Sequence, residues 1–148
     1  LSNPFSPEQV VACNASTGGW RQFEDSLVIC RFCSNYHPLA TLDALKAVTG
    51  WSDLSVEEAQ DIGRRAINRL RVFNLRHGLD VALEAPSPRY SSTPVDGPAQ
   101  GVGMAAHFDW MKRTYWEKMG WDPLTGRPLP ETLRRLGLDQ LISDLLNS

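Results

Sequence analysis

Cysteine is scarce in this chain. Three residues in 148, Cys13, Cys30 and Cys33, are an odd number and too few for a disulfide scaffold, which favours a reducing compartment such as the cytoplasm. Charge of one sign is also lacking. A net charge of -2 gives no reason to expect nucleic acid as a partner. No apolar run approaches the roughly 20 residues that span a bilayer, so no membrane segment is expected. The N-terminal LSNPFSPEQV has neither an initiator Met nor a signal-peptide layout, and the chain reads as a piece of a longer protein. No nucleophile–base arrangement or glycine-rich phosphate loop is present. The sequon Asn14-Ala15-Ser16 has no consequence in a cytoplasmic chain.

What is present is a helical pattern over an ordinary soluble composition, with 42% hydrophobic and 22% charged residues. Leu39, Leu42, Leu45 and Val48 recur at threes before Gly50, a helix stop. Ser55 and Glu58 form a capping box that opens a helix running to Gly78. Ala59, Ile62, Ala66, Leu70, Phe73 and His77 share one face of it, and His77 reads as a hydrogen-bonded core histidine. Arg64, Arg65, Arg69, Arg71 and Arg76 flank that face and read as a solvated surface with local ion pairs.

From Asp80 to Gly103 the pattern breaks. Pro86, Pro88, Pro94 and Pro98, with Gly97, Gly101 and Gly103, are expected to exclude regular structure there. A loop of that length in a compact domain is usually functional or wrapped over a neighbour. Another helix fits Ala105 to Met119, with Phe108, Met111, Tyr115 and Met119 on one stripe and Gly120 as its stop. Tyr115, Trp116 and Trp121 read as packing anchors. Short helices follow from Pro130 and Asp139. The expected fold is all-α: residues 1–148 as a single, irregular helical domain with a long Pro/Gly-rich loop.

Cys30-x-x-Cys33 with His37 has the spacing of half a zinc site, because C-x2-C lets two thiolates meet one ion. The second ligand pair is missing, since His77 and His107 lie in unrelated elements. Plain core cysteines remain the simpler reading of the pair, and Cys13 reads as a small buried or half-buried hydrophobe.

Three blocks carry a resemblance. RAINRLRVFNLRHG (Arg65 to Gly78), DGPAQG (Asp96 to Gly101) and YWEKMGWDPLTGRPLPETLRRLGL (Tyr115 to Leu138) resemble the C-terminal domain of the aldehyde ferredoxin oxidoreductase family, tungsten- or molybdenum-pterin enzymes. Arg71, Phe73, Asn74, Arg76 and Gly78 fall on the family's R-x-F-N-x-R-x-G pattern. Tyr115, Gly120, Trp121, Asp122, Gly126, Pro128, Leu136, Gly137 and Leu138 match in the last block. The chain departs from the family at Ser87, where a proline is expected, and at Trp116, where tyrosine is frequent.

The resemblance implies roles for DSLVIC, residues 25–30, which looks like the family's Asp-x-x-x-x-Cys element. Asp25 would hydrogen-bond the ring of a molybdopterin, Ile29 would contact it, and Cys30 would be the fourth thiolate on a four-iron, four-sulfur cluster. Cys33 has no family role. On a continuous helix, residues five apart point about 140° from each other, which would let one segment serve both groups. A carboxylate accepts from pterin N–H groups, and thiolates are the standard cluster ligands.

The parent is thus expected to oxidise an aldehyde to a carboxylic acid at a tungsten or molybdenum bis-molybdopterin centre, passing electrons through the cluster to ferredoxin. The other three cluster cysteines would lie upstream, in the rest of the parent chain, and homo-oligomers are compatible with the resemblance. The isolated chain is expected to be inactive, and no residue of it is assigned a catalytic role. The rival readings are a stand-alone helical protein-interaction module docking through the arginine helix, and a small zinc-binding module.

Overall fold

The computed structural model describes residues 2–34 and 37–146. Nine α-helices and one short 3-10 turn make up these residues, and the nearest approach to a sheet is an isolated bridge between Trp121 and Pro128. The all-α expectation holds.

Local signals start and stop these elements. Helix α1 (Pro7–Ser16) opens with Pro7 in its first turn and the Ser6 hydroxyl accepting from the Gln9 N–H at 3.3 Å. Helix α2 (Trp20–Ser26) follows, then a single-turn α3 (Arg31–Ser34) and α4 (Pro38–Thr49). Gly50 ends α4 in the left-handed conformation, as its sequence position implies. The long α5 (Val56–Arg76) opens on the Ser55 hydroxyl, which accepts from the Glu58 N–H at 3.0 Å.

The 80–103 stretch is less irregular than its prolines suggest. Asp80 caps a 3-10 turn over Val81–Leu83, and Pro88 opens the one-turn α6 (Pro88–Ser91). Proline suits the first turn of a helix, where its missing N–H costs nothing, so these residues start short turns as well as break long ones. Helix α7 (Phe108–Lys118) is shorter at both ends than the stripe from Ala105 implies. Helices α8 (Pro130–Arg135) and α9 (Gln140–Leu146) close the described chain.

Helix α5 is the spine. Near its start, Trp20, Phe23, Leu42, Leu54 and Ala59 form one buried cluster; near its end, Val72 packs with Leu133, Leu136, Leu138 and Leu145. Between them lie Trp116, Met119 and Trp121. Helix α2 is held against α5 backbone to backbone. A Cβ on Gly63 would stand 1.8 Å from the Gly19 carbonyl oxygen, and one on Gly19 2.2 Å from that of Gln60. Only glycine fits such a crossing, and Gly19 also has a positive φ of 94°. This contact fixes where α2, and with it Asp25, sits.

The face of α5 that its apolar residues mark is covered only in its first half, where Ala59 is buried and Ile62 and Ala66 are half-buried. Ala59, Gly63, Asn68, Arg71 and Val72 are buried, whereas Leu70, Phe73 and His77 are exposed. The cause is the tryptophan pair from the other end of the chain. Trp121 Nε1 donates to Asn68 Oδ1 at 2.9 Å, and the Arg71 guanidinium lies 4.9 Å from the Trp121 ring and 5.5 Å from Trp116. Arg71 also donates through Nε to the Gly126 carbonyl at 2.9 Å and pairs with both oxygens of Glu84. Hydrogen-bonding capacity, not hydrophobicity, puts these two polar residues inside. His77 is a helix-end residue: its Nδ1 lies 2.7 Å from the Phe73 carbonyl oxygen and its ring stacks on Phe73 at 4.0 Å.

Candidate functional site

Asp25 lies in the last turn of α2, whose chain then stops being helical. Leu27 caps the helix and Val28 takes a φ of 57°, the one non-glycine positive φ among the described residues. A β-branched residue is strained there. Asp25 and Cys30 therefore do not share a continuous helix: the left-handed residue turns the chain, and Cys30 directly precedes α3. The expectation of a single helical segment is corrected. Asp25 stands on α2, and Cys30 lies in the short stretch between α2 and α3.

The Asp25 carboxylate is exposed and accepts from Arg31 Nη2 at 2.9 and 2.8 Å through its two oxygens. A carboxylate has about four lone-pair sites, so acceptor capacity remains toward solvent. Ile29 borders an apolar hollow of about 440 Å³ formed with Leu27, Cys33, Ala44, Leu45 and Val48. The Cys30 sulfur is exposed. The Cys30 thiol pKa is lowered, chiefly by the backbone N–H groups of Phe32 and Cys33 at the start of α3.

The surroundings are apolar and uncovered. Val28 is 92% exposed and Phe32 93%, and Leu39 and Val48 of α4 also face outward. Of the α4 stripe expected from sequence, Leu42 is buried and Leu45 half-buried. Large apolar side chains left in water in such number are a feature of surfaces that bind something.

Two residues at the site escaped sequence reasoning. Arg31, which orients Asp25, carries an Nε buried without a partner among the described residues. Glu24, beside Asp25 but on the inner face of α2, is wholly buried, and neither of its oxygens has a partner there. No local signal separates Glu24 from Asp25; only the docking of α2 on α5 does. The zinc reading gains nothing: no group of three or more His, Cys, Asp or Glu side chains that could hold a metal ion occurs among the described residues. No described helix is long and apolar enough to cross a membrane.

Elsewhere a groove of about 790 Å³ runs between α1, α2, α5 and α7. Phe108, Met111 and Tyr115 line it half-buried, beside the buried Trp116 and Trp121. Burial pushes the Tyr115 hydroxyl pKa up, against the opposing pull of Arg71 and Arg64. Cys13 is half-buried on α1.

The thiol and carboxylate chemistry of residues 25–30 suits a sulfide cluster and a hydrogen-bonding heterocycle. An accessible thiol of lowered pKa is the kind of group that ligates iron–sulfur clusters. An exposed carboxylate can accept from a ring edged with donors, and the hollow bordered by Ile29 offers apolar surface.

A family model described as aldehyde ferredoxin oxidoreductase, domains 2 and 3, matches residues 2–138. A tungsten-containing aldehyde ferredoxin oxidoreductase of Pyrococcus abyssi is 37% identical over 102 residues, 68% of this chain and 16% of that protein. Its counterpart in Pyrococcus horikoshii is 35% identical over 102 residues, with the same shares, and that of Thermococcus kodakarensis 34% over 102 residues. The chain thus spans about a sixth of the length of these relatives, and no solved structure matches it. With a family match that runs from the first described residue to Leu138, the chain belongs to the aldehyde ferredoxin oxidoreductase family.

Proposed function

We propose that this chain is the C-terminal part of a cytoplasmic oxidoreductase that converts an aldehyde and water to a carboxylic acid, two protons and two electrons. Three of its residues would meet the cofactors. Asp25 would accept hydrogen bonds from one molybdopterin of a tungsten or molybdenum bis-molybdopterin centre, and Ile29 would pack against it. Cys30 would supply one thiolate of a four-iron, four-sulfur cluster.

The chemistry these groups supply when bound is two-electron oxidation at the metal and one-electron relay to ferredoxin. What this chain contributes is placement. The Val28 turn sends Asp25 and Cys30 to different partners, Arg31 holds the carboxylate in one orientation, and the apolar patch excludes water once covered by the rest of the parent chain.

The observation that carries this reading is Cys30, exposed at the break that separates it from Asp25 on α2. The test is the longer protein that contains this chain, purified without oxygen. It should contain iron and tungsten or molybdenum, and should reduce a viologen dye when given an aldehyde. A protein that folds with neither metal would overturn the proposal.

A further inference from the structure

Cys30 and Cys33 are separated by one turn of chain. The Cys33 N–H donates to the Cys30 carbonyl at 2.8 Å and the Ser34 N–H to the same oxygen at 3.2 Å, so the pair spans a tight helical turn. Residues three apart on such a turn face the same side, with Cβ atoms about 5–6 Å apart. That is slightly wider than the roughly 3.5–4.5 Å of a disulfide. The gap is small here. Both side chains are exposed, and α3 is only four residues long. A single exposed turn can tighten without disturbing a core, because α3 contributes no buried residue.

From this geometry we propose that Cys30 and Cys33 form a redox dithiol that closes to an intramolecular disulfide by exchange with a small-molecule disulfide of the glutathione type. The steps balance as thiol–disulfide exchange. The Cys30 thiolate attacks one sulfur of the small disulfide, forming a mixed disulfide and releasing one small thiolate. The Cys33 thiolate then attacks the Cys30 sulfur, forming the Cys30–Cys33 bond and releasing the second thiolate. The protein loses two electrons, the small disulfide gains them, and the two cysteine protons end on the released thiols.

The consequence for the cofactor rests on the function proposed above. A sulfur engaged in a disulfide cannot ligate iron, so the closed pair and the cluster-bound Cys30 exclude each other. Cys33 would then hold Cys30 in a reversible state while no cluster is present, instead of leaving it to irreversible oxidation.

The experiment uses the reduced 148-residue chain, exposed to glutathione disulfide, quenched with acid, unfolded and alkylated. The expected product carries one alkyl group, on Cys13, and a disulfide joining the tryptic peptides 22–31 and 32–46; dithiothreitol restores all three sites. Cys33→Ser should instead retain glutathione on Cys30. Alkylation of all three cysteines would overturn the proposal. Separate glutathione adducts on Cys30 and Cys33, or a Cys30 bond between two chains, would overturn it equally. Those results would leave Cys30 free to serve as a ligand. Conversely, absence of iron from the longer protein would remove the cluster and leave the disulfide result standing.

Discussion

Removing the Arg71 guanidinium tests the centre of the fold, and Arg71→Met is the change that removes it while keeping most of the stem. The side chain is 7% exposed and serves four partners, Gly126, Glu84, Trp116 and Trp121. The Gly126 carbonyl would lose its 2.9 Å donor, which costs about 1–3 kcal/mol for a buried acceptor. The Glu84 carboxylate would lose both its bonds to the fork. Glu84 is 29% exposed and can rehydrate, so this loss belongs near the 1 kcal/mol of a solvent-screened pair, not the 3–5 kcal/mol of a fully buried one. The two indole faces at 4.9 and 5.5 Å would lose a cation, about 1–2 kcal/mol in a desolvated setting. These losses overlap, and methionine refills part of the space. A net destabilisation of about 3 kcal/mol follows, equivalent to a fall in Tm of roughly 6–12 °C for a chain of this size. Urea unfolding followed by tryptophan fluorescence is the assay. Arg71→Lys should recover less than half of the loss, because a point charge replaces neither the fork nor the stacking. A loss below about 1 kcal/mol for Arg71→Met would refute the placement of this residue as a buried bridge.

In the longer protein, Cys30→Ala should lower iron content and the reduced-cluster EPR signal, whereas Cys33→Ala should leave both nearly intact; equal damage from both would point to a shared metal site. Val28→Gly should stabilise the chain by about 0.5–1 kcal/mol, since glycine removes a left-handed strain of about 1–2 kcal/mol and gives back part of it in chain entropy. At 92% exposure Val28 has no packing to lose, and a destabilised glycine variant in the same urea assay would contradict its positive φ. The Thr125 hydroxyl, then the Thr125 and Leu124 N–H groups, hold the Asp122 carboxylate below its ordinary value. Its stabilisation is therefore present above the unfolded value of about 3.9 and lost as pH falls through the lower folded one. Asp122→Asn should be the less stable chain near neutrality, with the difference vanishing at acid pH; a gap that persists there would assign the loss to something other than ionisation.

How much was legible in sequence divides along the range of the interactions involved. Helix limits are settled within a few residues of chain, and the signals for them worked: the Ser55 cap, the stops at Gly50 and Gly120, the proline that opens α8. The tryptophan anchors were also readable, because Trp116 and Trp121 are too large and apolar to be left in water. Residues 25–30 were singled out through a six-residue pattern and its family resemblance, and the identities Asp25, Ile29 and Cys30 are all that such a pattern carries.

Tertiary structure decided the rest. The inner face of the second half of α5 is not legible locally because its partners lie some fifty residues away: Asn68 and Arg71 are buried by virtue of Trp121 and Gly126. Glu24 and Asp25 are adjacent acids with indistinguishable local signals, and the backbone crossing at Gly19 and Gly63 alone sends one inward and the other to solvent. Val28 has the composition of a strand or core residue, yet it takes the left-handed turn that separates the acid from the thiol. Sequence by itself determined which groups this protein can offer and where its helices begin and end, since both depend on near neighbours. Which of those groups face a cofactor, a core or the solvent depends on contacts between distant segments, and these exist only once the chain is packed.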